Sequence, residues 1–145
     1  MDTSTKIVAP CGISCFNCEV YSGNITKETQ DRLSELIKIP AEKISCNGCA
    51  GGDLCVFLKL RGKSCKTLDC VNEHKVAYCH ECPDFPCRLL MPVAQGAEKY
   101  PHNLKVYNLC LIKKLGLQKW LDQAVDIKYT YFHTNFEIGK GGCDD

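Results

Sequence analysis

Cys79-His80-Glu81-Cys82-Pro83-Asp84-Phe85-Pro86-Cys87 is the stretch on which the reading of this chain turns. Two residues between Cys79 and Cys82 let a tight turn aim both sulfurs at one point, the geometry by which thiolates hold an ion. The same spacing recurs at Cys46-Asn47-Gly48-Cys49, where Gly48 permits the turn. A third group, Cys11-Gly12-Ile13-Ser14-Cys15-Phe16-Asn17-Cys18, lies upstream, and Cys55, Cys65 and Cys70 stand between the two knuckles. Eleven of the 13 cysteines therefore fall between Cys11 and Cys87.

In a secreted chain such a share of cysteine reads as a disulfide framework. Here the odd count and the tight Cys-x-x-Cys pairs argue against it. The residues Met1-Asp2-Thr3-Ser4-Thr5-Lys6 also lack the pattern of a secretion signal. No run approaches the roughly 18 apolar residues of a membrane span. The expected compartment is the cytoplasm, where thiols stay reduced. Thiols at this density are an oxidation liability unless something holds them as thiolates, and a metal does that.

The expected ligands are Cys11, Cys15, Cys18, Cys46, Cys49, Cys65, Cys70, Cys79, Cys82 and Cys87. Cys55 is left open, Cys110 reads as packing within a helix, and Cys143 as a free thiol in the tail. Cys49 and Cys79 are separated by 29 residues, too far for the simplest zinc ribbon, so Cys65 and Cys70 supply the missing ligands. Eleven thiols serve two or three four-ligand sites. A third would need His74 or His80, a carboxylate or water.

Zinc is the expected cofactor, with an iron–sulfur cluster as the alternative. Cys79-x2-Cys82-Pro83 is similar to a ferredoxin fragment, although the compact four-cysteine run is absent. Cys11-x3-Cys15-x2-Cys18 has the spacing of radical S-adenosylmethionine enzymes, but Asn17 stands where they place an aromatic residue, and the chain has no strand–helix repeat for their barrel. A thioredoxin-type role for Cys46-x2-Cys49 lacks the surrounding strands and helices. With 18 basic and 17 acidic residues, no positive excess draws the chain to nucleic acid. Nor is there a Ser-His-Asp set, a phosphate loop or a His-Glu-x-x-His segment.

The rest of the chain reads as helix and loop. Thr26 caps a helix to Lys38 that turns Leu33, Leu36 and Ile37 inward, and Pro40 stops it. The apolar run Leu54 to Leu60 has no assignable period. Asp84 is placed to cap a helix from Pro86 through Leu90. From Asn103, an apolar face of Leu104, Tyr107, Leu111 and Leu115 runs to a stop at Gly116. A second helix over Gln118 to Val125 directs Trp120, Leu121, Ala124 and Val125 to a core. Ile127 to Phe136 is rich in aromatic and β-branched residues and reads as a strand or extended tail. His102 or Asn103 reads as a helix cap, or as part of a polar pocket with Lys105, Tyr107 and Asn108.

The expected architecture is one mixed, mostly α domain over residues 1–145. A small metal-organised, cysteine-rich part with irregular loops (9–90) packs on C-terminal helices with an aromatic tail (91–137), and 138–145 form a flexible end.

These segments resemble domain-of-unknown-function family 3795, a cysteine-rich family of bacteria and archaea. The resemblance rests on Ala9–Cys18, on Cys46-Asn47-Gly48-Cys49-Ala50-Gly51 and on Cys79 through Leu90. It extends to Tyr100-Pro101-His102-Asn103-Leu104-Lys105 and Leu115–Leu121. It implies metal binding through the cysteines at 11, 15, 18, 46, 49, 70, 79, 82 and 87, and no established activity. Many members carry a closely spaced pair before the cysteine matching Cys70, where this chain has the distant Cys55 and Cys65. Many also end in a further knuckle that is missing here.

The expected function is a metal-binding, mainly zinc-structured protein that recognises a protein partner. One alternative is an iron–sulfur protein in electron transfer or redox chemistry. Another is a zinc enzyme with an open three-cysteine site at Cys11, Cys15 and Cys18, for which His102, Lys105 and Glu81 are candidate participants.

Overall fold

A computed structural model describes residues 7–51 and 53–142. Six α-helices and several short 3₁₀ turns are joined by irregular segments, with no β-strand among the described residues. The helices are α1 (Lys27–Ile37), α2 (Val56–Lys59), α3 (Lys66–His74), α4 (Lys105–Leu115), α5 (Leu117–Leu121) and α6 (Ala124–His133). None is long and apolar enough to cross a membrane. The fold is mostly α, with loops, as its helical periodicities imply.

α1 begins where Thr26 accepts a hydrogen bond from the Thr29 amide at 3.1 Å and ends at Lys38, whose φ of 58° closes a left-handed cap. Only Leu33 of its expected face is buried. Ile37 is partly covered and Leu36 is 72 % exposed, while Gln30 Nε2 donates to the Ile44 carbonyl at 3.2 Å.

The apolar interior divides into three clusters. Val20, Leu33, Ile44, Cys46 and Val56 form one beside α1. Val71, Cys79, Leu90 and Leu109 form a second, between the cysteine loops and α4. Val8, Ile112, Trp120, Leu121 and Ala124 form the third. Two of them join the upstream segments to the C-terminal helices, since Val8 packs with Trp120 and Cys79 with Leu109. Trp120, Leu109 and Ile44 have essentially no solvent exposure.

The join is fixed by one side chain. Asn108, 3 % exposed on α4, donates from Nδ2 to the Gly12 carbonyl at 2.8 Å and accepts from Trp120 Nε1 at 3.3 Å. Gly12 is needed there. Its φ is +90°, and a Cβ would lie 2.7 Å from the Lys105 carbonyl and 2.9 Å from Leu109 Cγ.

Several local expectations are corrected. Ile127–His133 is neither strand nor tail but part of α6, and only 134–136 run on as irregular backbone. Its aromatic residues lie along a helix that docks through Ala124 and Ile127, and that docking outweighs weak β-propensity. The second helix breaks between Leu121 and Ala124, and Val125 is 54 % exposed. On α4 the inward face is Asn108, Leu109 and Ile112, while Tyr107 is 56 % exposed. Cys110 is exposed rather than packed. No helix starts at Pro86, and Arg88–Leu90 makes only a 3₁₀ turn without a side-chain cap. The segment 137–140 turns back on itself through a Glu137–Lys140 bridge, and Cys143 lies outside the described residues.

Asn108→Ala removes the acceptor for a buried indole and the donor to a buried-turn carbonyl. It is expected to cost about 2–4 kcal/mol, read as a lower denaturant midpoint with an unchanged slope. An effect under about 0.5 kcal/mol would mean the bridge does not hold the halves together.

Candidate metal centre

Each cysteine sits where local backbone geometry places it. At the first knuckle, Gly48 adopts φ +82°, and its amide donates to Cys46 Sγ at 3.4 Å. Upstream, the Gly12 amide bonds back to the Ala9 carbonyl and presents Cys11, while Cys15 opens a 3₁₀ turn ending at Asn17. Cys55, Cys65 and Cys87 each occupy the position immediately before a helical turn. Cys79, 8 % exposed, is docked by its amide on the Pro10 carbonyl at 2.9 Å, which brings the second knuckle to the first cysteine group.

The thiols gather in neighbourhoods. Cys15 and Cys49 share a hydrogen bond that keeps the proton on Cys15, raising its pKa, and lowers that of Cys49. Cys11 is raised by burial, partly offset by the Lys105 ammonium and the Ile13 amide, with Cys49 and Cys65 close enough to oppose its ionisation. Burial also raises Cys55, which accepts from the Phe57 and Leu58 amides and faces Cys46 and Cys49. Cys18 packs against the cluster that contains Cys46. None of the described cysteines is in a disulfide.

The second neighbourhood surrounds the second knuckle. Cys79 is pushed up to about 12 by burial and by the nearby Cys11, Cys87, Cys70 and Cys82. Cys70, Cys79, Cys82, Cys87 and His74 line one small recess. On α3, Cys70 and His74 stand one turn apart, with Sγ 3.7 Å from Nδ1, and His74 Nδ1 lies 2.9 Å from the Cys70 carbonyl. His74, Cys82 and Asp84 bring donor atoms within 4.8 Å of one another, a candidate Cys/His/Asp metal site. His74 and Asp84 are exposed and Cys82 is half-buried.

Crowded thiols oppose one another's ionisation, and a divalent cation reverses that by replacing the protons. The amides aimed at Cys11, Cys15, Cys49 and Cys55 stabilise the same charged form. This donor chemistry fits a metal.

Sequence reasoning leaves Asp84 out of the ligand set by reading it as a helix cap. Its spacing of two from Cys82 is the signal that points the other way. Other polar residues have structural partners. His102 Nε2 donates to the Val93 carbonyl at 2.7 Å, and Asn103 brackets Val93 with bonds of 2.9 and 3.0 Å, so neither caps α4 nor lines a pocket. Glu81 accepts from the Ala77 and Tyr78 amides. His80 stacks on Tyr78 with a buried Nδ1 that has no hydrogen-bond partner. A larger cleft of about 630 Å³, lined by Tyr107, Asp126, Ile127, Tyr131 and Phe136 among others, contains no described cysteine.

Gly48→Ala places a Cβ 2.6 Å from Ile7 Cγ2, whereas Gly62→Ala, at φ +61°, meets nothing within 4 Å. The second is expected to cost about 1 kcal/mol of backbone strain. The first is expected to cost at least twice that, compared by thermal melting of the two variants.

No curated protein and no solved structure matches the chain. One family does. The model of DUF3795, described as a protein of unknown function, matches residues 7–92, which run from Ile7 past every cysteine placed in these neighbourhoods. Those 86 of 145 residues hold both knuckles and the turn that Asn108 pins, and the chain belongs to the DUF3795 family.

Proposed function

We propose that the chain is a zinc-binding module whose metal is chiefly structural, and that it acts by recognising a protein partner. The observation that carries the metal reading is convergence. Cysteines from separate turns meet without forming disulfides, at sites where backbone N–H groups already point at sulfur. The ligands of this reading are Cys11, Cys15, Cys49 and Cys65 around the first knuckle. Around the second they are Cys70, Cys79, Cys82 and Cys87, and Cys18 and Cys46, which lie beside α2, complete the set.

Zinc suits the mixed sulfur, nitrogen and oxygen donors at Cys82, His74 and Asp84. Bound there, it supplies cross-links between loops that bury too little apolar surface to order themselves. The partner reading is supported by the cleft beside α6, whose rim includes the exposed Phe136 and Tyr107. A module of this kind works in the cytoplasm, where its thiols remain reduced.

A second reading, an iron–sulfur centre in redox chemistry, is favoured by the spacing of the sulfurs. Four thiolates on one zinc stand about 3.8 Å apart, from a Zn–S bond of roughly 2.3 Å. Among the described residues, the His74–Cys82–Asp84 set is the trio found within 4.8 Å, and it contains a single sulfur. Wider thiol spacing suits a multi-iron cluster.

Metal analysis with an optical spectrum on protein purified without air tests both. Zinc without visible absorption supports the first reading, and iron with acid-labile sulfide replaces it with the second. Cys46→Ser and Cys79→Ser are each expected to lower metal content and melting temperature, while Cys110→Ser changes neither. Unchanged metal content in both ligand variants would remove these cysteines from the site. Chelator is expected to unfold the segments around both knuckles, seen as lost amide-exchange protection there.

A further inference from the structure

Three donors converge beside the second knuckle, and only three. His74, Cys82 and Asp84 each bring a ligand atom within 4.8 Å of the others, and no further His, Cys, Asp or Glu among the described residues joins them at that spacing. They come from two segments. His74 is the last residue of α3, and Cys82 and Asp84 flank Pro83 in the turn that follows the knuckle. No ion pair engages His74 or Asp84 among the described residues.

Cys70 does not complete the set. Its sulfur lies 3.7 Å from His74 Nδ1, the nitrogen that also stands 2.9 Å from the Cys70 carbonyl. Nδ1 carries the proton and donates to that carbonyl, which leaves the lone pair on Nε2. The Cys70 sulfur therefore faces the protonated edge of the ring, not the ligating one. A backbone carbonyl on the second nitrogen is the usual support of a metal-bound imidazole. His74 and Cys82 also line the small recess, of about 20 Å³, and Asp84 lies outside it. That volume admits a water and nothing larger.

Resting on the metal reading above, we propose that His74 Nε2, the Cys82 sulfur and an Asp84 carboxylate oxygen hold one divalent ion whose fourth position is open to an imidazole ligand from outside the chain. Of the thiols around the second knuckle, this ion takes Cys82 alone. Three protein ligands leave a tetrahedral ion one position short, the mark of an open rather than a closed site. His74 and Asp84 are exposed, so a ligand larger than water approaches from solvent.

Charge selects the donor. One thiolate and one carboxylate cancel the two positive charges of the ion, and a neutral imidazole adds none. The centre then has no net charge with which to attract an anion, and Glu73, one residue before His74, adds a negative charge nearby. A neutral donor is favoured. Near pH 7 an alkylamine is protonated and a ligating thiol is anionic, whereas imidazole is largely neutral and suits zinc.

The test is visible absorption of the full-length chain loaded with cobalt(II), reduced and without air, as imidazole, N-acetylhistidine methylamide or azide is added. Circular dichroism checks folding. The cobalt bands of the parent are expected to shift with imidazole, and azide is expected to bind about tenfold more weakly. His74→Ala and Asp84→Asn, both at exposed positions, should keep their fold, bind one cobalt fewer and lose the shift, whereas Cys70→Ser keeps it. A shift with imidazole and with the blocked histidine supports a histidine side chain as the ligand, and a shift with imidazole alone supports a small molecule. Parent bands that ignore imidazole, or that respond more tightly to azide, would overturn the proposal and leave the metal reading standing. So would a shift that survives in both His74→Ala and Asp84→Asn or disappears in Cys70→Ser. A parent chain that binds no cobalt would overturn both.

Discussion

The fold depends on Asn108. Its amide nitrogen and oxygen each engage a buried partner from a different part of the chain, the Gly12 carbonyl and the Trp120 indole. A buried amide without partners is costly, so Asn108 tolerates only the arrangement in which the Cys11 turn, α4 and α5 meet. Once Gly12 is held against α4, Pro10 is placed to receive the Cys79 amide, and the second knuckle is brought beside the first cysteine group. One polar side chain in an apolar layer thus sets the positions of thiols it never touches.

The helices of the second half and α1 are legible in the sequence because their apolar residues follow a 3.6-residue period between good stop signals, Pro40 and Gly116. Their faces are less legible. Tyr107 and Leu36 fit the period but are exposed, whereas the polar Asn108 is inside. A period fixes which residues share a side. It does not tell which of two overlapping stripes meets a neighbour, and a buried bridge such as Asn108 depends on a partner 96 residues away. The same limit turns Ile127–His133 from an expected strand into α6, since strand preference is a packing property and no second strand exists among the described residues to satisfy it.

For the candidate site, Cys-x-x-Cys spacing announces the knuckles, because two sulfurs across one turn are a local matter. Which knuckle meets which distant cysteine is not local. The neighbourhoods of Cys49 with Cys15 and Cys11, and of Cys79 with Cys70, Cys82 and Cys87, arise from loop docking. Asp84 shows a further limit. Beside Pro86 it has two plausible local uses, and only the approach of α3, carrying His74, distinguishes them.

The family match ends at residue 92, yet the cysteine part does not close without the helices downstream of it. Val8 is buried among Ile112, Trp120 and Leu121, and Cys79 beside Leu109, so two of the three apolar clusters draw members from α4 to α6. A chain cut at 92 would expose these faces and lose the Asn108 bridge. α4 also presents Tyr107 to the cleft on its outer side while Leu109 packs behind the second knuckle. The candidate metal corner and the cleft therefore lie on two sides of one helix.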